Sequence, residues 1–205
     1  DGSVWCWGSG TWGVRTGGVP VSGAIYTPRY IPLEEPVVDI AINAYVGAAA
    51  GESGKLWLWG HGYYGLAGDG VHTTSTIGRF TPTALVNPET DAPFVDIASA
   101  SLATSHGCIR RENQEIWCWG TKSFATGPGS GEEPGQYWRP TPLRYTEGGE
   151  VVTGIIDSCV ASTFGCAIVA SDDGNTTLCW GSTLYTGRGT AIEKPEEPGE
   201  LINII

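Results

Sequence analysis

The sequence predicts an all-β fold, an arc of about three to four four-stranded antiparallel blades from a larger propeller. Three observations predict it. One phrase recurs four times, as Val4-Trp5-Cys6-Trp7-Gly8, Leu56-Trp57-Leu58-Trp59-Gly60, Ile116-Trp117-Cys118-Trp119-Gly120 and Thr177-Leu178-Cys179-Trp180-Gly181. Its closing glycines are 52, 60 and 61 residues apart, and self-similarity at such a period marks an array in which each unit is one supersecondary module. Between the copies, short apolar runs alternate with glycine and proline, 31 and 13 of the 205 residues, as strands separated by turns require.

Each unit reads as four strands. In the unit ending at Gly60 these are Pro28 to Pro32, Val37-Val38-Asp39-Ile40-Ala41, Val46 to Ala50 and Lys55 to Trp59, the last two joined by a turn through Glu52-Ser53-Gly54. The next unit gives Pro82 to Val86, Phe94-Val95-Asp96-Ile97-Ala98, Gly107-Cys108-Ile109 and Glu115 to Trp119. The third gives Pro142 to Tyr145, Val151 to Ile156, Gly165 to Val169 and Thr177 to Trp180. No helical periodicity interrupts them. Residues 1–205 are expected to be one propeller segment with units ending at Gly8, Gly60, Gly120 and Gly181, incomplete at both ends.

The Trp-Gly that closes the fourth strand is followed by a glycine-rich stretch such as Gly65-Leu66-Ala67-Gly68-Asp69-Gly70, then by a proline-led strand and the Val-Asp-Ile-Ala strand. In that order these elements resemble the regulator-of-chromosome-condensation (RCC1) repeat, across essentially the whole chain. The resemblance implies a seven-bladed propeller, which would need about twice this length. Ala125 and Thr186 depart from the pattern, standing where the earlier units have Gly13 and Gly65.

Six cysteines follow the repeat in part. Cys108 and Cys118 fall on the third and fourth strands of one unit, and Cys166 and Cys179 on the same strands of the next. Where one is absent both are: Ala48 and Leu58 take the two places in the unit ending at Gly60. Paired presence and absence predicts cross-strand disulfides Cys108–Cys118 and Cys166–Cys179; buried thiols packed as small hydrophobes are the alternative. Cys6 has a fourth-strand place, and Cys159 fits no slot. Disulfides imply an oxidising compartment, hence an extracellular or cell-surface location. The Asn175-Thr176-Thr177 sequon agrees with it in a eukaryotic secretory pathway.

Composition narrows the function. Lys and Arg total 11 against 22 Asp and Glu, a formal charge of −11, which repels phosphate backbones and argues against nucleic acid. No run is long enough to span a membrane as a helix. The histidines are scattered at 61, 72 and 106 and no C-x-x-C exists, so neither a metal nor any other cofactor is expected. Ser105, His106 and Asp96 offer the residue types of a hydrolytic triad, but without a G-x-S-x-G elbow, and His106 reads better as a structural hydrogen-bonding residue. Acidic pairs such as Glu34-Glu35 read as solvated loops. The chain is not expected to be an enzyme.

The pattern left over is aromatic. Four residues after each Trp-Gly stand Trp12, Tyr64, Phe124 and Tyr185, with Tyr63 beside the second. Equivalent loops collect on one face of a propeller, where such rings either bind a partner or cap their own blades. The expected function is therefore a non-catalytic interaction or structural module binding a protein partner, or a further copy of itself, through the loop face. A carbohydrate-binding role is the alternative, the same rings stacking on sugars. Guanine-nucleotide exchange, which the resemblance implies through the founding family member, ranks last.

Overall fold

The computed structural model describes residues 1–9, 23–62, 64–71, 79–120, 138–144, 150–162, 164–170 and 174–181. Strands β1 (Val4–Ser9) and β2 (Ala24–Ile31) form an antiparallel pair. The first full blade is β3 (Val37–Ile42), β4 (Val46–Gly51), β5 (Leu56–Gly60) and β6 (Arg79–Ala84), hydrogen-bonded in that order. A short ribbon of β7 (Val86–Asn87) and β8 (Ala92–Pro93) leads to the second blade: β9 (Ile97–Leu102), β10 (His106–Arg111), β11 (Ile116–Gly120) and β12 (Thr141–Pro142). The third shows β13 (Ile155–Val160), β14 (Phe164–Val169) and β15 (Thr176–Gly181).

The all-β blade architecture expected from the repeat is present, with two corrections. The blades are cut one strand away from the sequence units. The proline-led strand does not join the sheet of its own unit but pairs with the Trp-Gly strand before it: β6 with β5, β12 with β11, β2 with β1. Backbone bonds Leu85 N to Leu56 O (2.8 Å) and Leu143 N to Ile116 O (2.8 Å) extend that pairing. A Trp-Gly strand would otherwise present an open edge, and the next unit closes it.

The second correction concerns register. Val37, Ile97 and Ile155 are the equivalent first residues of their blades. Each donates its backbone N–H to the carbonyl at the tip of the preceding hairpin: Val37 to Gly2 (2.9 Å), Ile97 to Gly54 (2.9 Å) and Ile155 to Gln114 (3.0 Å). Asp39 thus corresponds to Ser99 and Asp157, and the second strand of the middle unit starts at Ile97, not Phe94. In the third unit it starts at Ile155, not Val151. Phe94 instead lies buried under Arg111.

Three cores lie between sheets. One joins Val4 and Ile31 to Ala49 and Trp59; a second joins Ala48, Leu56 and Leu58 to Ile97, Ile109, Trp117 and Trp119; a third joins Cys108, Ile116 and Cys118 to Ala167, Leu178 and Trp180. In β5 and β11, therefore, one face of the Trp-Gly strand packs on the preceding sheet and the other on the following one. The central strand must be thin to allow this. Gly47, Gly107 and Gly165 lie directly opposite Trp59, Trp119 and Trp180, and a Cβ on any of them would fall 2.4–2.8 Å from the facing indole. Adjacent sheets come closest at β3, β9 and β13, so the blades fan out from that side.

The Trp-Gly segments are buried in three copies but not in the first. Trp57, Trp59, Trp117, Trp119 and Trp180 are at most 7% exposed, whereas Trp5 and Trp7 are 52% and 60% exposed. These two point to the side where each later blade meets its predecessor, and no described residue covers them.

Candidate interaction face

The strand ends at Gly60 bring three loops together. Asn43 builds the β3–β4 turn by accepting from the backbone N–H groups of Tyr45 (2.7 Å) and Val46 (2.8 Å) on its Oδ1, the local bonding that suits asparagine to turns. Its Nδ2 donates to the Ala103 carbonyl in the next blade's turn. Tyr45 is thereby fixed, and its carbonyl accepts from His61 N at 2.7 Å.

The loop after β5 carries Tyr64 at φ 61° and Gly65 at φ 72°. The Tyr64 ring meets the Tyr45 ring edge-on, centroids 6.3 Å apart at 70°. The Trp138 indole lies flush on Gly65, where a Cβ would be 2.3 Å from Cδ1. Gly70 N donates to the Trp138 carbonyl at 3.0 Å, and from below the buried Trp119 Nε1–H donates to the Leu66 carbonyl at 3.0 Å. Tyr45, Tyr64 and Trp138 are each half-buried, and Arg139 beside them is exposed. The result is a rigid aromatic cluster that spans two blades and remains open to solvent.

Of the loop aromatics expected from the repeat, Tyr64 takes part in this cluster; Trp12, Tyr63, Phe124 and Tyr185 lie outside the described residues. Tyr45 escaped sequence reasoning because it does not recur from unit to unit; its one faint signal is its place just before the Val46-Gly47 strand start. Trp138 escaped it although an aromatic stands two residues before the strand proline in each unit, Tyr26, Phe80 and Trp138 before Pro28, Pro82 and Pro140.

A second aromatic surface lies on β1–β2. Trp5 and Trp7 are joined by Tyr26 and Tyr30, 89% and 49% exposed, with Trp5 and Tyr30 centroids 5.6 Å apart. Val38 and Ile40 on β3 are exposed as well.

The polar groups singled out in the sequence are placed differently. Asp96 holds Arg111 at the opposite end of the blade from His106, so Ser105, His106 and Asp96 do not assemble. His106 is fully buried, and neither ring nitrogen has a hydrogen-bond partner among the described residues, contrary to the hydrogen-bonding role expected; burial pushes its pKa down to about 4. Burial also lowers the pKa of His61. Glu35 is not a solvated loop acid. Its burial acts to raise its pKa, but bonds from Ser53 N (2.7 Å), Ser53 Oγ (2.8 Å) and Trp57 Nε1 (3.1 Å), with the charge of Lys55, outweigh that and hold the carboxyl below its usual range. Among the described residues no group of His, Cys, Asp and Glu is arranged to hold a metal ion, and no helix is long and apolar enough to cross a membrane.

Both expected disulfides form, Cys108–Cys118 and Cys166–Cys179, each with Cα atoms 4.1 Å apart. That is slightly shorter than the usual disulfide range. Arg111 N bonds Glu115 O, which makes Cys108 and Cys118 a non-hydrogen-bonded pair, the kind whose Cα atoms approach most closely. Ala48 and Leu58 face each other at the same place in the first blade.

No family model matches the chain. Over 141 residues, 66% of this chain and 29% of the relative, it is 27% identical to the RCC1 domain-containing protein RUG3, mitochondrial, of Arabidopsis thaliana. Its fold superposes on yeast RCC1 (Prp20), solved bound to Kap60, with a TM-score of 0.72, 20% identity and coverage of 99% of this chain and 45% of that one. Its fold is RCC1-like. Human WBSCR16 gives a TM-score of 0.62 at 19% identity, covering 88% of this chain and 43% of that protein. The chain spans less than half the length of each of these proteins.

Proposed function

We propose that this chain is a non-catalytic, extracellular protein-binding module that grips its partner through the loop face. The observation that carries the reading is the half-exposed Tyr45–Tyr64–Trp138 cluster, seated on backbone that is hydrogen-bonded across two blades. Aromatics held rigidly beside an exposed arginine have the character of binding hot spots, because little side-chain entropy is lost on contact. Protein binding by this fold has support from Prp20, whose structures are described with Kap60 and with its binding properties to Gsp1p and histones. The two disulfides favour an oxidising compartment.

The exposed Trp5, Trp7, Tyr26 and Tyr30 give the carbohydrate reading its own support, since such rings also stack on sugars. The test is a comparison of wild type with a Tyr45→Ala, Tyr64→Ala double variant. Partners are captured by cross-linking and identified, and both proteins are screened on a glycan array. Loss of at least ~2 kcal/mol in affinity for a captured protein, with an unchanged melting temperature, supports the proposal. A lowered melting temperature with unchanged affinity makes the rings blade caps. Glycan binding without protein capture favours the alternative.

A further inference from the structure

Cys159 has no place in the sequence repeat, but it has one in the sheet. On β13 it lies directly opposite Cys166 of β14, which in turn lies directly opposite Cys179 of β15. Residues opposed across neighbouring strands share a face, so the three cysteines form one row across the blade. Cys166 is bonded to Cys179, and Cys159 is an exposed free thiol. The bond from Ala161 N to Phe164 O sets the ladder phase and makes Cys159 and Cys166 a hydrogen-bonded pair. Such pairs have Cα atoms about 5.5 Å apart, inside the distance a disulfide bridges.

We propose that this row is a thiol–disulfide exchange site. The Cys159 thiolate attacks the Sγ of Cys166, the Cys159–Cys166 bond forms as the Cys166–Cys179 bond breaks, and the electron pair leaves on Cys179, which takes up the proton that Cys159 released. No oxidant or reductant is consumed. The central sulfur is the one attacked, because reaching Cys179 means crossing two strand spacings, about 9.6 Å. The row runs perpendicular to the strands, so Cys159 and Cys179 flank Cys166 on opposite sides, as displacement at the central sulfur requires. The staple thus moves between the β14–β15 and β13–β14 pairs.

The second blade is the internal control. Its row reads Ser101, Cys108, Cys118, so a hydroxyl stands where the third blade has the attacking thiol. Its bridge is also buried, Cys108 at 2% and Cys118 at 1% exposed, whereas Cys166 and Cys179 are half-buried.

The test equilibrates the native chain at mildly alkaline pH without added thiol or oxidant, traps it with excess alkylating reagent and maps peptides without reduction. The expected result is two isomers, one with Cys159 alkylated and Cys166–Cys179 bridged, the other with Cys179 alkylated and Cys159–Cys166 bridged, and Cys108–Cys118 intact in both. Cys179 that is never alkylated, or is alkylated together with any other new bridge, overturns the proposal. Cys159→Ser should collapse the mixture to Cys166–Cys179 alone. Alkylated Cys179 persisting in that variant would mean reduction rather than exchange and would also overturn it. The intact Cys108–Cys118 bridge reports in each case that exchange stays within the row of the third blade and has not become general scrambling.

Discussion

Gly107 lies directly across the sheet from Trp119, and the space its side chain would fill is occupied by the indole and by Leu102. A Cβ there would stand 2.8 Å from Trp119 Cζ2 and 2.7 Å from Leu102 Cδ2. Both neighbours are packed, so neither can yield without disturbing the interface between the first two blades. Gly107→Ala should cost ~1–3 kcal/mol, the range for overpacking a filled core. Combined with Trp119→Phe, whose smaller ring leaves room for the methyl, the loss should be less than additive. Denaturant midpoints of the two single variants and the double variant check this, and strict additivity would show that the residues do not share the space.

The same indole separates two kinds of tryptophan. Trp119 is fully buried and donates to the Leu66 carbonyl, so Trp119→Phe removes volume and leaves a buried acceptor unpaired, a loss of ~1–3 kcal/mol. Trp7 has the equivalent place in the first copy but is 60% exposed. Trp7→Phe should change stability by no more than ~0.5 kcal/mol, as at other surface positions. Equal losses in thermal melts would mean that Trp7 is covered in solution.

Arg111 joins four contacts in one half-buried side chain. Its Nη2 lies 2.7 Å from Asp96 Oδ2 and its Nη1 3.1 Å from Glu115 Oε2, while the guanidinium lies over the Trp117 and Phe94 rings at 5.2 and 5.5 Å. Lysine keeps the charge but has neither the fork nor the plane. Arg111→Lys is expected to cost ~1–2 kcal/mol despite preserving charge. A variant as stable as wild type in urea would reduce the cluster to a simple ion pair.

The hairpin tips that stitch the blades share one left-handed residue: Gly2 at φ 67°, Gly54 at φ 75° and Gln114 at φ 67°. Glutamine pays a steric penalty in that conformation that glycine does not. Removing ~1–2 kcal/mol of αL strain against ~0.5–1 kcal/mol of added unfolded-state entropy leaves Gln114→Gly neutral or stabilising by up to ~1.5 kcal/mol. A measured destabilisation would assign the Gln114 side chain a contact that outweighs the strain.

These repeats explain how far the sequence could be read. The Trp-Gly phrase, the paired cysteines and the strand order were legible because each is a local pattern that recurs. The blade boundary was not, because β6 and β12 pair backward through backbone bonds that carry no side-chain signature. The Val-Asp-Ile-Ala match at Phe94 misled for a related reason: a similar string recurs three residues out of structural register, and the register is set by the tip carbonyl of Gly54, not by the string itself. Cys159 looked slotless on the same misreading. At the loop face Tyr64 was legible through its spacing from Trp-Gly, but Tyr45 and Trp138 reach it from other loops, and only the packing joins them.

His106 gives the fold a pH dependence whose sign is fixed by burial. It takes the place that Val46 has in the first blade, each opposite the glycine of its Trp-Gly, and burial lowers its pKa from 6.5 to about 4. Between those values the unfolded chain holds a proton that the folded chain does not, so stability falls as pH drops through the window and levels off below it. The slope approaches ~1.4 kcal/mol per pH unit within the window, so about 1.6 kcal/mol should be lost between roughly pH 6.5 and pH 5, above the range where most carboxylates titrate. His106→Val should remove most of that slope and raise stability at the acid end, because valine already fits the equivalent site and carries no proton. The remainder belongs in part to His61, whose pKa burial also lowers. Urea unfolding of both proteins at the two pH values measures the difference. An unchanged slope in His106→Val would show that the imidazole finds a partner when protonated and that its burial does not set the acid sensitivity of the fold.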